Sequence, residues 1–201
     1  MRYTNPTFFF LLFCLLVSVT FSSSYGHHTG TLKPKPANPA LNLTAKEEHV
    51  LKDQFIELPG TPIDAENFQG VPVNKAQPEL FSYQNKFILL NFWATWCVPC
   101  LKELPDMERL HQKLGKKGLV ILAVAMGENK QKVKKFLKKH NLHFPILADP
   151  EMTISELYGV KNLPTTFLID RNKVIIGRAL GPRQWSNPDL VEFFRKRIEV
   201  P

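Results

Sequence analysis

Apolar runs alternate with amphipathic stretches along most of the chain. Residues 88–92 are five mostly apolar residues in a row, which predicts a strand buried on both faces of a sheet. From Cys97 to Leu114 the apolar residues recur every three or four positions, which is the period of one helix face. The pattern therefore places Cys97 and Cys100 where a strand ends and a helix begins.

The same alternation continues to the end of the chain. An edge strand is predicted over residues 71–73, and later strands over residues 119–124, 144–148, 166–170 and 174–179. Helices are predicted over residues 80–83, 97–114, 131–140, 151–158 and 187–198. Pro105 lies inside the second of these helices, and we expect a kink there because proline removes one backbone donor.

The first 54 residues differ from this pattern. Residues 1–24 contain one basic residue, an apolar stretch over residues 8–21 and a small-residue end, which predicts a signal peptide or an N-terminal anchor. The stretch is shorter than the roughly 20 residues of a typical transmembrane helix, yet residues 7–21 could still tether the chain to a membrane. Residues 25–54 carry several prolines and predict an extended linker, which leaves residues 55–201 as the folded domain.

The formal net charge is +8, and most of the excess lies in lysine clusters over residues 113–117 and 130–139. These are interpreted as solvated helix faces, with an acidic protein partner or anionic lipid as the alternative. Nucleic acid is not expected, because no aromatic residues interleave with the basic ones. Of the three cysteines, Cys14 lies in the leader, so the domain keeps two, and no metal site or other cofactor is predicted.

The position of the two cysteines predicts redox chemistry. The first turn of a helix has unpaired N–H groups and a partial positive charge, which lower the pKa of a thiol placed there. Lowering the pKa of Cys97 from about 8.5 to near 7 needs roughly 2 kcal/mol, whereas a surface helix dipole supplies about 0.3 to 1 kcal/mol. Hydrogen bonds to the sulfur must therefore contribute. Cys97 is predicted to be the exposed attacking thiol, and Cys100 the inward thiol that resolves the mixed disulfide.

Residues 91–100, Asn-Phe-Trp-Ala-Thr-Trp-Cys-Val-Pro-Cys, resemble the active-site segment of the thioredoxin superfamily. The resemblance is strongest to its TlpA/ResA-like branch of thiol-disulfide oxidoreductases, and it extends from about Phe55 to about Phe194. It implies a three-layer α/β/α sandwich with a central mixed sheet and an N-terminal extension. It also implies a short hairpin and a small helix before the central strand.

The resemblance assigns roles to further residues. It implies a cis peptide bond before Pro164, where the backbone of Leu163 would pair with a client peptide as a strand. Trp96 would cover the sulfurs and, with Val98 and Pro99, contact the client. Glu103 would exchange the proton of the resolving thiol, provided that burial raises its pKa, because the aspartate of plain thioredoxin is replaced here by Asn91.

The resemblance further implies a monomeric periplasmic or otherwise extracytoplasmic reductase of disulfides in exported client proteins, such as apocytochrome c or copper-site proteins. A membrane thiol donor of the DsbD or CcdA kind would supply the electrons. The same scaffold could instead oxidise or isomerise disulfides, because small changes in hydrogen bonding at sulfur set the direction. A copper chaperone, a peroxiredoxin and a non-catalytic adaptor are less favoured. The motif has no flanking histidine, Thr95 stands two rather than three residues before Cys97, and both cysteines are intact.

Overall fold

The structure is a computed structural model that describes residues 43–199. The predicted leader and most of the predicted linker lie outside the described residues. The helices are α1 (Ala45–Asp53), α2 (Val98–Leu114), α3 (Lys130–Leu137), α4 (Thr153–Leu157) and α5 (Pro188–Glu199). The strands are β1 (Ile56–Glu57), β2 (Ile63–Asp64), β3 (Val71–Pro72), β4 (Phe87–Trp93), β5 (Leu119–Met126), β6 (Ile146–Asp149), β7 (Thr165–Ile169) and β8 (Val174–Leu180). Short 3-10 helices cover Leu80–Ser82 and Gly115–Lys117.

The strands form one mixed sheet in the order β1-β8-β7-β4-β5-β6-β3, and β2 also pairs with β8. The pairs β4–β5 and β5–β6 are parallel, while β4–β7, β7–β8 and β3–β6 are antiparallel. All seven residues of β4 are buried, as expected for a strand in the middle of a covered sheet. The strand that leads to the cysteines is therefore the central support of the domain.

Both faces of the sheet are covered by apolar side chains. Along β4, Leu89 and Trp93 pack on one face with residues of α2 and α5, while Ile88 and Leu90 pack on the other face with residues of α4. This alternation is the period of two that a strand imposes on its side chains. The predicted three-layer α/β/α sandwich with a mixed central sheet is confirmed.

Two expectations about the N-terminal part are wrong. Residues 45–53 of the predicted linker form α1, which begins with a capping box between Thr44 and Glu47 and buries Leu51 completely. The short hairpin expected before the central strand is absent from the described residues that precede β4, because β1 and β2 both pair with β8 rather than with each other. Among residues 43–199, no helix has the length and apolar character that crossing a bilayer would require.

Candidate active site

The two cysteines lie at the amino-terminal end of α2 and form a disulfide, with their Cα atoms 5.3 Å apart. Cys97 caps the helix, and its Sγ accepts a hydrogen bond from the backbone N–H of Cys100 at 3.3 Å. Pro99 occupies the first turn, where the missing N–H would have no helical partner in any case. A backbone donor therefore points at the Cys97 sulfur, which is the kind of contribution that the pKa argument requires.

The two sulfurs differ in their access to the surface. Cys97 is 4% exposed and Cys100 is fully buried. The prediction of an exposed attacking thiol is therefore wrong in degree, because the side chain is largely covered. The asymmetry itself is as predicted, since Cys97 borders a surface cleft and Cys100 does not line it. A partner molecule would reach Cys97 first.

The cleft beside Cys97 has a volume of about 590 Å³. It brings together all four residues predicted to contact a client, which are Trp96, Val98, Pro99 and Leu163. The remaining wall is formed by Met126, Gly127, Met152, Lys161 and Asn162. Trp96 and Val98 are 66% and 61% exposed, so large apolar side chains face solvent next to the disulfide. Exposed apolar surface of this kind is typical of a site that binds another molecule.

The Leu163–Pro164 peptide bond is cis, as the resemblance implies. Pairing of β7 with β4 and with β8 ends at Thr165. Leu163 therefore lies beyond the paired part of the strand while it borders the cleft that holds Cys97. The backbone of Leu163 is positioned at the rim of the candidate site, where an extended peptide could approach.

Glu103 lies one turn after Cys100 on α2 and is only 2% exposed. Its Oε1 accepts a hydrogen bond from Asn91 Nδ2 at 3.0 Å, and its Oε2 accepts from the Arg183 backbone N–H and from Trp185 Nε1, each at 3.1 Å. Burial raises the pKa of Glu103 to about 7, although these donors and the Arg183 charge act in the opposite direction. The burial on which the expected rise in the pKa depends is therefore present.

Three contacts of Glu103 were not predicted. Asn91, in the middle of β4, donates through Nδ2 to both Glu103 and Thr166 Oγ1, the latter at 3.0 Å. Arg183 and Trp185 reach Glu103 from the segment between β8 and α5, about 80 residues further along the chain. No local sequence pattern connects that segment to α2. The contacts arise only because β8 returns the chain to the α2 side of the sheet.

Glu128 is a further unpredicted residue at the site. It follows β5, is 1% exposed, and accepts hydrogen bonds from the Thr95 backbone N–H at 2.8 Å and the Thr95 hydroxyl at 2.6 Å. Its other partner is Lys132 on α3, at 2.7 Å. Glu128 thus anchors the loop that carries Trp96 and Cys97. The Thr95 hydroxyl is directed to this carboxylate, which further disfavours the peroxiredoxin arrangement.

Within residues 43–199, no group of three or more His, Cys, Asp or Glu side chains is arranged to hold a metal ion. The chemically active groups of the site are thus the disulfide, the Glu103 carboxyl and the donors around it. Such a set can exchange a disulfide for two thiols and move a proton at the buried end.

Comparison with known proteins agrees with this chemistry. The sequence profile described as the AhpC/TSA family matches residues 63–178, more than half of the chain. This chain belongs to the AhpC/TSA family. The thiol-disulfide oxidoreductase ResA of Bacillus thuringiensis subsp. konkukian is 34% identical over 157 residues, which cover 78% of this chain and 88% of the relative. This AhpC/TSA-family chain is therefore a ResA-like thiol-disulfide oxidoreductase.

Solved structures show the same relationship for this member of the family. A thiol:disulfide interchange protein of the thioredoxin family from Chlorobium tepidum is 27% identical, with a TM-score of 0.59, covering 70% of this chain and 99% of the other. An exposed lipoprotein thioredoxin from Streptococcus pneumoniae is 30% identical, with a TM-score of 0.52, covering 58% and 90%. The thioredoxin-like fold is therefore shared along most of each of these two relatives.

Proposed function

We propose that this thiol-disulfide oxidoreductase acts outside the cytoplasm, where it reduces disulfides of exported proteins such as apocytochrome c or copper-site proteins. A DsbD- or CcdA-like membrane thiol donor would regenerate its dithiol. The observation that carries the proposal is the asymmetry of the two sulfurs. Cys97 borders an apolar surface cleft, whereas Cys100 is fully buried and lies one helical turn before the buried Glu103.

The first step is attack by Cys97. In the reduced protein the Cys97 thiolate attacks one sulfur of the client disulfide, and a new S–S bond joins Cys97 to the client. The client's other sulfur leaves as a thiolate and takes up a proton. The Cys100 N–H, which already donates to Cys97 Sγ, stabilises the negative charge on the attacking sulfur.

The second step is resolution by Cys100. Its thiol gives a proton to Glu103 and then attacks Cys97 Sγ, so that the second client thiolate leaves and the Cys97–Cys100 disulfide forms again. Two electrons have then passed from the dithiol to the client. Cys100 and Glu103 are three residues apart on α2, so their side chains share one helix face. A carboxyl with a pKa of about 7 is suited to accept this proton near neutral pH.

The client would dock as an extended strand along the backbone of Leu163. This segment lies beyond the paired part of β7, so its backbone groups can add a strand, as in other peptide-binding proteins. The exposed Trp96 and Val98 side chains would cover apolar residues of the client on the other wall of the cleft. This arrangement would bring the client cysteine to Cys97 while placing few requirements on the rest of the client sequence.

The extracytoplasmic location is supported by the leader-like residues 1–24 and by the chemistry of the dithiol, since disulfide cycling is common outside the cytoplasm. The structural relative from Streptococcus pneumoniae is described as an exposed lipoprotein. We propose that residues 1–24 act as a signal peptide or anchor, that the segment before α1 is a tether and that the domain is monomeric.

Trapping of the mixed disulfide tests the proposed mechanism. Cys100→Ser leaves Cys97 able to attack and removes the resolving thiol, so covalent adducts with extracytoplasmic proteins should accumulate and be released by dithiothreitol. Cys97→Ser is the matched control and should trap none. Absence of adducts in Cys100→Ser, or equal amounts in both variants, would overturn the assignment of the attacking thiol.

Equilibration with glutathione tests the direction. We expect a two-electron potential near or below about −200 mV, which is the range of reductases, whereas an oxidase would lie near −120 mV. A value in the oxidase range would replace the reductase proposal with the oxidase alternative on the same site. Tight copper binding without a redox change would indicate a chaperone.

A further inference from the structure

The environment of Glu103 is matched to only one of its two protonation states. Each hydrogen bond that the structure gives to its carboxyl comes from an N–H group: the side-chain amide of Asn91, the backbone of Arg183 and the indole of Trp185. An ionised carboxylate accepts all of these. A protonated carboxyl must donate one hydrogen bond, and it therefore needs an acceptor at one oxygen.

The unused acceptor beside Glu103 is Oδ1 of Asn91. Asn91 is fully buried, and its Oδ1 has no hydrogen-bond partner among residues 43–199, whereas Nδ2 of the same amide makes two hydrogen bonds. Both of those bonds go to oxygen atoms, Glu103 Oε1 and Thr166 Oγ1, each at 3.0 Å. An unpaired acceptor at full burial is costly, so this amide is the least satisfied polar group in contact with the acid.

A half-turn of the amide would exchange the positions of its oxygen and nitrogen at almost no change in volume. Oδ1 would then lie between Glu103 Oε1 and Thr166 Oγ1. The Thr166 hydroxyl can rotate to donate instead of accept, because a hydroxyl carries one donor and two acceptor positions. The turned amide therefore also makes two hydrogen bonds, one accepted from the protonated Glu103 and one accepted from Thr166. The other end of the amide is unpaired in both orientations, so that cost is present in both.

We propose that Asn91 is a positioning residue whose amide turns with the protonation state of Glu103. With Glu103 ionised, Nδ2 donates to the carboxylate and to Thr166; with Glu103 protonated, Oδ1 accepts from both. The buried acid thus has a hydrogen-bond partner before and after it takes the proton. The turn of the amide does not depend on the proposed function, but its role in catalysis rests on it. That role is to let Glu103 accept and release the Cys100 proton without losing a hydrogen bond.

Other titratable or charged groups near Glu103 do not explain such a turn in the oxidised protein. Arg183 is the charged side chain acting on Glu103 from the segment after β8, and an arginine remains protonated. On α2, Asp106 is held by Arg109 and by the Ser186 backbone N–H at 2.6 Å. Cys100, on the same helix, is in the disulfide and does not titrate. In the oxidised state the amide should therefore respond to Glu103 alone.

Side-chain NMR of the oxidised full chain between pH 5 and 9 tests the proposal. We expect the Asn91 NH2 protons to shift with the same midpoint as the Glu103 carboxyl carbon. Their nuclear Overhauser effect to the Thr166 side chain should be strong at pH 9 and lost at pH 5. Asn74 is the internal control: its amide donates to the Phe144 carbonyl and accepts from the Ile146 N–H, so its signals should not respond.

Glu103→Gln provides the second arm. Its neutral amide cannot titrate and can donate to Asn91 Oδ1 at all pH values, so the Asn91 signals should stay at the wild-type low-pH position. Persistence of the Asn91–Thr166 Overhauser effect at pH 5, or an unchanged Asn91 titration in Glu103→Gln, would overturn the proposal. Neither readout uses disulfide exchange. Successful trapping by Cys100→Ser with a fixed Asn91 amide would therefore reject only this inference, and a turning amide without trapping would reject only the proposed function.

Discussion

Helix α2 carries two glutamates with little exposure, Glu103 at 2% and Glu108 at 6%. Burial raises the pKa of Glu103 to about 7, because its hydrogen bonds offset only part of the desolvation. Burial also acts to raise the pKa of Glu108, but hydrogen bonds from the His143 backbone, the His143 ring and Gln112 outweigh it, and the pKa is lowered. Low accessibility alone therefore does not determine how a carboxyl on this helix titrates.

The surroundings of Glu103 and Glu108 differ in whether a side chain that can carry a charge contacts the carboxyl. Oε1 of Glu108 lies 2.8 Å from Nδ1 of His143, a ring that can carry a positive charge beside it. The charged side chain that acts on Glu103 is Arg183. Its guanidinium donates to the carbonyls of Gln54 and Phe55, so only its backbone N–H contacts the Glu103 carboxyl. Glu108 thus joins α2 to the segment before β6, whereas the pKa of Glu103 stays at about 7 because no charged side chain of the described residues contacts its carboxyl.

The pH dependence of stability should show the largest difference between Glu103 and Glu108. The pKa of Glu103 is raised from 4.5 to about 7 in the folded state, so the folded protein binds this proton more tightly than the unfolded chain. Its ionisation therefore costs about 3 kcal/mol, a loss that develops as pH rises from 4.5 to 7. We expect the free energy of unfolding of wild type relative to Glu103→Gln to fall by that amount between pH 4.5 and 8, measured with urea on oxidised protein.

Glu108 should give the opposite sign in the same experiment. Its pKa is lowered in the folded state, so its contribution to stability is present above about pH 4.5 and is lost as pH falls further. The destabilisation caused by Glu108→Gln should therefore shrink towards pH 3. Parallel stability curves for wild type and the two variants would contradict the comparison.

The rate of the resolving step should show the next largest effect. Removal of the proposed proton acceptor in Glu103→Gln should slow the release of the second client thiol at pH 7 by about 100-fold, the lower end of the range for general acid–base catalysis. Single-turnover reduction of a fluorescent disulfide peptide would measure it. Glu108→Gln, on the same helix but distant from the sulfurs in sequence, should remain within about twofold of wild type.

Trp185→Phe tests the indole donor to Glu103. It removes the N–H that reaches Oε2 at 3.1 Å while it keeps an aromatic ring in the core. The pKa of Glu103 should rise by about one further unit, because a hydrogen bond to a charged group is lost. Carbon NMR of the carboxyl measures it.

Trp93→Phe is the matched control for that variant. The indole N–H of Trp93 is buried and has no hydrogen-bond partner among residues 43–199, so its removal should not change the pKa of Glu103. Equal shifts in the Trp93 and Trp185 variants would show that repacking, rather than the lost donor, raises the pKa.

The smallest effect is expected at Gln112. Gln112→Leu removes a donor to Glu108 Oε1 at 3.1 Å, near the surface, where solvent replaces part of the interaction. The pKa of Glu108 should rise by about half a unit or less and remain below that of Glu103. If the rise brought the two values together, Gln112 rather than His143 would be the group that separates them.

Local patterns predicted the parts of the molecule that local forces determine. The apolar run of β4, the period of α2 and the spacing of Cys97 and Cys100 are each contained within about 20 residues. Helix α1 also had a local signal, the Thr44–Glu47 capping box, but the prolines before it favoured the linker interpretation. A capping box is thus a stronger local signal for the start of a helix than prolines several residues before it are against one.

The surroundings of Glu103 could not be predicted in the same way. A glutamate near the start of a helix is equally compatible with an exposed position favoured by the dipole. Two of its hydrogen bonds come from Trp185, which follows it by 82 residues, and from Asn91 on a different element. Glu128 at Thr95 is a similar case, because the contact depends on the parallel pairing of β4 with β5. Such contacts follow from the completed sheet.

Arg183 has a practical consequence for handling the molecule. Its side chain donates to the carbonyls of Gln54 and Phe55, directly after α1, while its own backbone N–H donates to Glu103, so one residue links the end of α1 to the buried carboxyl. Force applied to the amino-terminal segment, through a surface attachment or a bulky fusion, would act directly on these hydrogen bonds of Arg183. Handles for force spectroscopy or immobilised assays therefore belong at the carboxyl end, beyond α5.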